Sequence, residues 1–137
     1  MKILFLPDQH LGRNTAVLDL GMSLEDCVVY NPNRPRGGLS DDEIRNAKMI
    51  LWRGHCSVHG RFSAENVADV RARIPGVRVL VHPECRHEVV TAADFVGSTE
   101  FIIRQVAAAP VGTDRAGKIA AQIMLGLGVG LLILGAL

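Results

Sequence analysis

Two thiols and two imidazoles fall in two short stretches of this chain, Cys56-Ser57-Val58-His59 and His82-Pro83-Glu84-Cys85. Thiolate and imidazole at such spacings suit a tetrahedral zinc site. Cysteine is also among the most buried residue types, and loop histidines often satisfy nearby carbonyls. Spacing alone therefore leaves a metal centre and plain packing both open. Glu84 follows a proline and is either a general acid or base tuned by its neighbours or a solvated loop carboxylate. Gly97-Ser98-Thr99 precedes a helical pattern. Its backbone N–H groups and two hydroxyls make either a seat for a phosphate or carboxylate or an ordinary helix cap.

These residues need elements to hold them. Lys2 to Leu6, Cys27 to Tyr30, Met49 to Trp52, Val77 to Val81 and Phe95-Val96 are apolar runs of strand length. The stretch from Pro7 to Asp26 has little periodicity, and Asn31 to Gly38 reads as a loop. Ser40 with Glu43 is a capping box that starts a helix to about Ala47. Ser63 can cap a helix with Val67, Val70 and Ile74 on its apolar face, ended by Pro75-Gly76. His87 to Ala93 and Thr99 to Ala109 complete the helices. Strand alternating with helix predicts an α/β fold, a parallel sheet flanked by helices. Asp8 and His10, Cys56 and His59, His82 and Glu84, and Ser98 and Thr99 then follow strand ends, where ligands bind in such sheets.

Composition narrows the function. The chain has 137 residues, 48% of them apolar, enough for one compact domain. A net charge of +1 and 4% aromatic residues argue against a nucleic-acid surface. Met1 to Leu6 is too short for an export core before Pro7, and three cysteines (Cys27, Cys56, Cys85) do not make a disulfide framework. The expected location is the cytoplasm.

Four segments then carry a resemblance: Phe5-Leu6-Pro7-Asp8-Gln9-His10-Leu11-Gly12, Trp52-Arg53-Gly54-His55-Cys56-Ser57-Val58-His59-Gly60-Arg61-Phe62, Val81-His82-Pro83-Glu84-Cys85 and Ala93-Asp94-Phe95-Val96-Gly97-Ser98-Thr99. Together, in this order, they resemble the middle domain of the quinolinate synthase family, over residues 1–113. The resemblance implies one of three similar α/β domains around a central site. It implies condensation of iminoaspartate with dihydroxyacetone phosphate to quinolinate, with loss of phosphate and water, in NAD biosynthesis. L-aspartate oxidase would supply the iminoaspartate. It implies a [4Fe–4S] cluster, to which each domain gives one cysteine and whose fourth iron acts as a Lewis acid. Carried onto this chain, Cys56 is the cluster ligand. His59, His82 and Glu84 are active-site residues that orient substrate and assist proton transfer, and Ser98 and Thr99 bind substrate anions. Cys85 belongs to a motif without being a ligand, Cys27 has no role, and His10 stands where the family often has asparagine.

Two departures follow. No segment resembles the first or third domain, so two further cysteines and the catalytic assembly must come from outside this sequence. Residues 114–137 also diverge. Ile119 to Leu137 carries no charge and as a helix would span about 28 Å, near the thickness of a bilayer core. An apolar C-terminal helix is expected there. It could be a membrane anchor with the domain kept cytoplasmic by Arg115 and Lys118, the end of a frameshifted or fused gene, or a helix packed on something soluble. The alternative to an enzyme component is a non-catalytic module that binds zinc or iron or is attached to a membrane.

Overall fold

The computed structural model describes residues 2–108 and 131–134. The chain falls into two compact units, Met1–Cys56 and Ser57–Leu137.

In the first unit, β1 (Ile3–Phe5) leads into α1 (Gln9–Asn14), which continues as a π-helical turn over Thr15–Asp19. Then come β2 (Cys27–Tyr30), α2 (Asp41–Asn46) and β3 (Met49–Trp52). The sheet order is β1-β3-β2, all parallel, with Ile3 and Cys27 both opposite Met49. Side chains alternate across a strand. Ile3 and Phe5, Met49 and Leu51, and Cys27 and Val29 accordingly share one face and pack with Ala16 and Met22. The capping box holds: Ser40 Oγ accepts from the Glu43 N–H, and Glu43 Oε2 accepts from the Ser40 N–H at 2.7 Å.

The helix α1 was not expected. Its signal is Asp8, whose Oδ1 accepts from the N–H groups of His10 and Leu11. Gly12 obscures it, because glycine costs about 1 kcal/mol in a helix interior. The tertiary reason for that glycine is contact. A Cβ at Gly12 would lie 2.6 Å from Leu51 Cδ2 and from Phe5 Cδ1, so its absence lets the helix approach the sheet.

In the second unit, a 3₁₀ turn (His59–Arg61) precedes α3 (Ala64–Arg73), β4 (Arg78–Val81), α4 (His87–Ala92), β5 (Phe95–Val96), α5 (Thr99–Ala108) and β6 (Leu131–Leu134). Ser63 caps α3 as expected. Val67 is buried and Val70 packs against the same core, whereas Ile74 is the residue that ends the helix. Val79, Val81, Cys85, Val89 and Val90 complete that core.

Two expectations are corrected here. The parallel α/β character holds for β1, β2 and β3 and for the β4–β5 pair. The second sheet, of order β5-β4-β6, is mixed, because β6 runs antiparallel to β4. The expected apolar C-terminal helix is therefore not what Leu131–Leu134 forms. A short apolar run suits strand or helix alike, and here it pairs with the otherwise open edge of β4, satisfying backbone groups of a strand whose Val79, Leu80 and Val81 are fully buried. Among the described residues no helix is long and apolar enough to cross a membrane. Residues 109–130 and 135–137, which carry most of the expected anchor, lie outside the described residues.

Candidate functional site

In the first unit the polar loops after β1 and β3 are tied together at Asp8. Asp8 is 6% exposed, and its carboxylate takes three N–H donors. Oδ1 accepts from His10 and Leu11 at 2.8 Å each, and Oδ2 accepts from Cys56 at 2.9 Å. Next to it, the Gln9 N–H donates to the Gly54 carbonyl at 2.8 Å. Gly54 packs so tightly on this loop that a Cβ would lie 2.2 Å from the Pro7 carbonyl oxygen. Cys56 thus ends the unit on a braced backbone, with its thiol reduced and half-exposed. His10 and His55 meet edge to face beside it, ring centres 6.3 Å apart.

Cys27 is different. It is buried in the first core, and burial raises its thiol pKa above the ordinary value, with Arg13 pulling the other way. Cys85 is fully buried in the second core. Cys56 is accordingly the least buried cysteine of the three. One soft sulfur donor fits one ligand position of an iron–sulfur cluster and is too few to hold a cluster alone.

In the second unit the two histidines and the glutamate singled out above come together. His59, 7% exposed, places Nδ1 2.9 Å from Glu84 Oε2. Its ring stacks on that of His82, centres 4.9 Å apart and planes 15° apart. The turn from His82 to Cys85, closed by the Cys85 N–H donating to the His82 carbonyl at 3.0 Å, aims all this. Within it the Glu84 N–H donates to His82 Nδ1 at 3.3 Å. An accepting Nδ1 puts the proton of neutral His82 on Nε2. Buried Cys85 anchors the turn from below. Within this unit His59 and Glu84 are both residue types able to ligate a metal ion.

Ser98 and Thr99 are exposed at the start of α5. Ser98 Oγ accepts from the Phe101 N–H at 3.3 Å, so it serves as a helix cap. Gly97 before it is needed for space, since a Cβ would lie 2.1 Å from the Phe101 ring. Sequence reasoning left Asp94 without a role. Here its carboxylate accepts from the Val79 N–H at 2.7 Å and from Arg71 at 2.8 Å, joining β4 to the start of β5. Those contacts hold the carboxylate below its usual pKa, the Val79 N–H first and Arg71 after it. An acidic residue just before a short strand, beyond a buried one, is the only trace of this in the sequence.

Comparison with known proteins agrees with the motifs. The family model described as quinolinate synthetase A protein matches residues 1–116. Over 112 residues the chain is 77% identical to the quinolinate synthase of Streptomyces coelicolor, covering 82% of this chain and 28% of that protein. It is 67% identical over 113 residues to that of a Nocardioides species, covering 82% and 29%, and 52% identical over 112 residues to that of Bacillus subtilis, covering 82% and 30%. The chain thus spans less than a third of the length of these relatives, and over its first 116 residues it belongs to the quinolinate synthetase A family.

Proposed function

We propose that this chain is the middle-domain segment, residues 1–113, of a quinolinate synthase. Its relatives carry that name. The observation that carries the reading is the Glu84–His59 pair, 2.9 Å apart and stacked on His82, on the two loops that also hold the family motifs. Iminoaspartate and dihydroxyacetone phosphate are the substrates in this reading. Two further domains, outside this sequence, supply two more cysteines, and an L-aspartate oxidase supplies the iminoaspartate.

Cys56 holds one corner of a [4Fe–4S] cluster, which when bound supplies Lewis-acid chemistry at an iron without a protein ligand. The chain's own residues do the rest. Glu84 takes and returns a proton at its carboxylate. His59 lies against that carboxylate, its Nδ1 2.9 Å away. His82 donates from Nε2 to a substrate oxygen. Ser98 and Thr99 bind a substrate anion at the head of α5, the Ser98 hydroxyl donating outward while its lone pair caps the helix. The reading supports a location in the cytoplasm, where cysteine thiols stay reduced and free to ligate metal.

The test is an anaerobic assembly of this segment with the remaining two domains. Cys56→Ser should abolish the cluster's absorption and iron content, while Cys85→Ser, if folded, should keep both. Equal loss on both substitutions would count against the assignment of Cys56. A tight, stoichiometric zinc in the isolated chain, bound through His59 and Glu84, would instead support a non-catalytic metal-binding module.

A further inference from the structure

We infer that Asp8 is a positioning residue for Cys56, holding in place the backbone from which that thiol projects. This rests on the reading of Cys56 as a metal ligand, and the experiment below separates the two. Capping α1 needs a single acceptor, and serine would serve as well there as aspartate. Oδ1 alone makes both cap contacts, to His10 and Leu11. Oδ2 reaches 48 positions along the chain to the Cys56 N–H. Asp8 is 6% exposed, so each carboxylate oxygen needs its donors. A second link runs the opposite way, from the Gln9 N–H to the Gly54 carbonyl, and Gly54 has no room for a side chain against Pro7. Residues 54–56 are thereby fixed at both ends. With its N–H fixed, the Cys56 peptide plane and Cα are placed, and rotations about φ and χ1 remain to direct the sulfur. An acceptor-only group with two oxygens is the side chain that can do both tasks, which explains an aspartate where a serine would cap the helix.

Two substitutions separate the tasks. Asp8→Ser keeps a capping oxygen and removes the reach to Cys56. Asp8→Asn keeps the capping oxygen and turns a donor toward the Cys56 N–H. In the full chain, hydrogen exchange resolved by amide should show His10 and Leu11 as protected as before in both variants, with the Cys56 amide exchanging about tenfold faster or more. In the anaerobic three-domain assembly, both variants should release iron to a chelator several-fold faster, with a shifted electron paramagnetic signal. Asp8→Glu, which keeps two oxygens, should restore part of both. Unchanged Cys56 exchange in Asp8→Ser and Asp8→Asn would overturn the backbone link. Faster exchange with an unchanged signal and release rate would overturn the positioning role. Retention of the full cluster by Cys56→Ser would overturn the ligand reading itself, and the role of Asp8 toward the metal with it.

Discussion

Asp94 clasps Val79 from both sides of one residue: the Asp94 N–H donates to the Val79 carbonyl at 2.9 Å, and the Val79 N–H donates to the Asp94 carboxylate at 2.7 Å. Val79 is fully buried, so its N–H has no ready substitute in water. Asp94→Ala should cost about 1–3 kcal/mol, read as a lower urea midpoint with unchanged slope. The pH dependence follows from the depressed carboxylate. Its stabilisation is complete above the unfolded carboxyl value, near 3.9, and fades as pH falls through the lower folded value. The side chain is 37% exposed, so solvent screening keeps this acid-linked part small. Asp94→Asn should flatten the loss of stability below about pH 4. Equal acid sensitivity in both proteins would refute it.

Gly12→Ala sets two effects against each other. Alanine gains about 1 kcal/mol in helix propensity. Its methyl would sit 2.6 Å from both Leu51 and Phe5, whose displacement costs about 1–3 kcal/mol in a packed core. Net destabilisation is expected by chemical denaturation, and a stabilised variant would show that α1 does not press on the sheet.

The three cysteines should separate by reactivity. Cys56 is half-exposed, whereas Cys27 and Cys85 are buried and the Cys27 thiol is raised in pKa by burial. Alkylation at neutral pH, followed by peptide mass spectrometry, should label Cys56 at least about tenfold faster than the other two. Comparable rates for Cys85 would mean that the second core opens readily.

Glu84→Gln keeps the shape of the residue beside His59 while removing the base. In the reconstituted assembly, turnover should fall by about 10²–10⁴ with iron content nearly unchanged. Near-normal turnover would return Glu84 to the role of a loop carboxylate, and loss of iron in parallel with turnover would make it a metal-holding group instead.

Local signals were legible from the residues themselves: Ser40 with Glu43, Ser63 as a cap, and five apolar runs whose positions match β1 to β5. These depend on neighbours within a few residues, and spacing encodes them directly. The grouping of His59, His82 and Glu84 was legible as motif and strand-end position, because a parallel strand carries whatever follows it to the sheet's edge. Tertiary contact decided the rest. By spacing alone Cys56 and Cys85 look equivalent, and only the family resemblance told them apart; in the fold one ends a braced loop partly exposed and the other is sealed among Val79, Val81 and Val89. Leu131–Leu134 became a strand because β4 offered an edge, a fact no local window contains. Asp8 was legible only as a polar residue past a strand end, and its bond to Cys56 exists because two parallel strands end side by side and a buried carboxylate has two oxygens to satisfy.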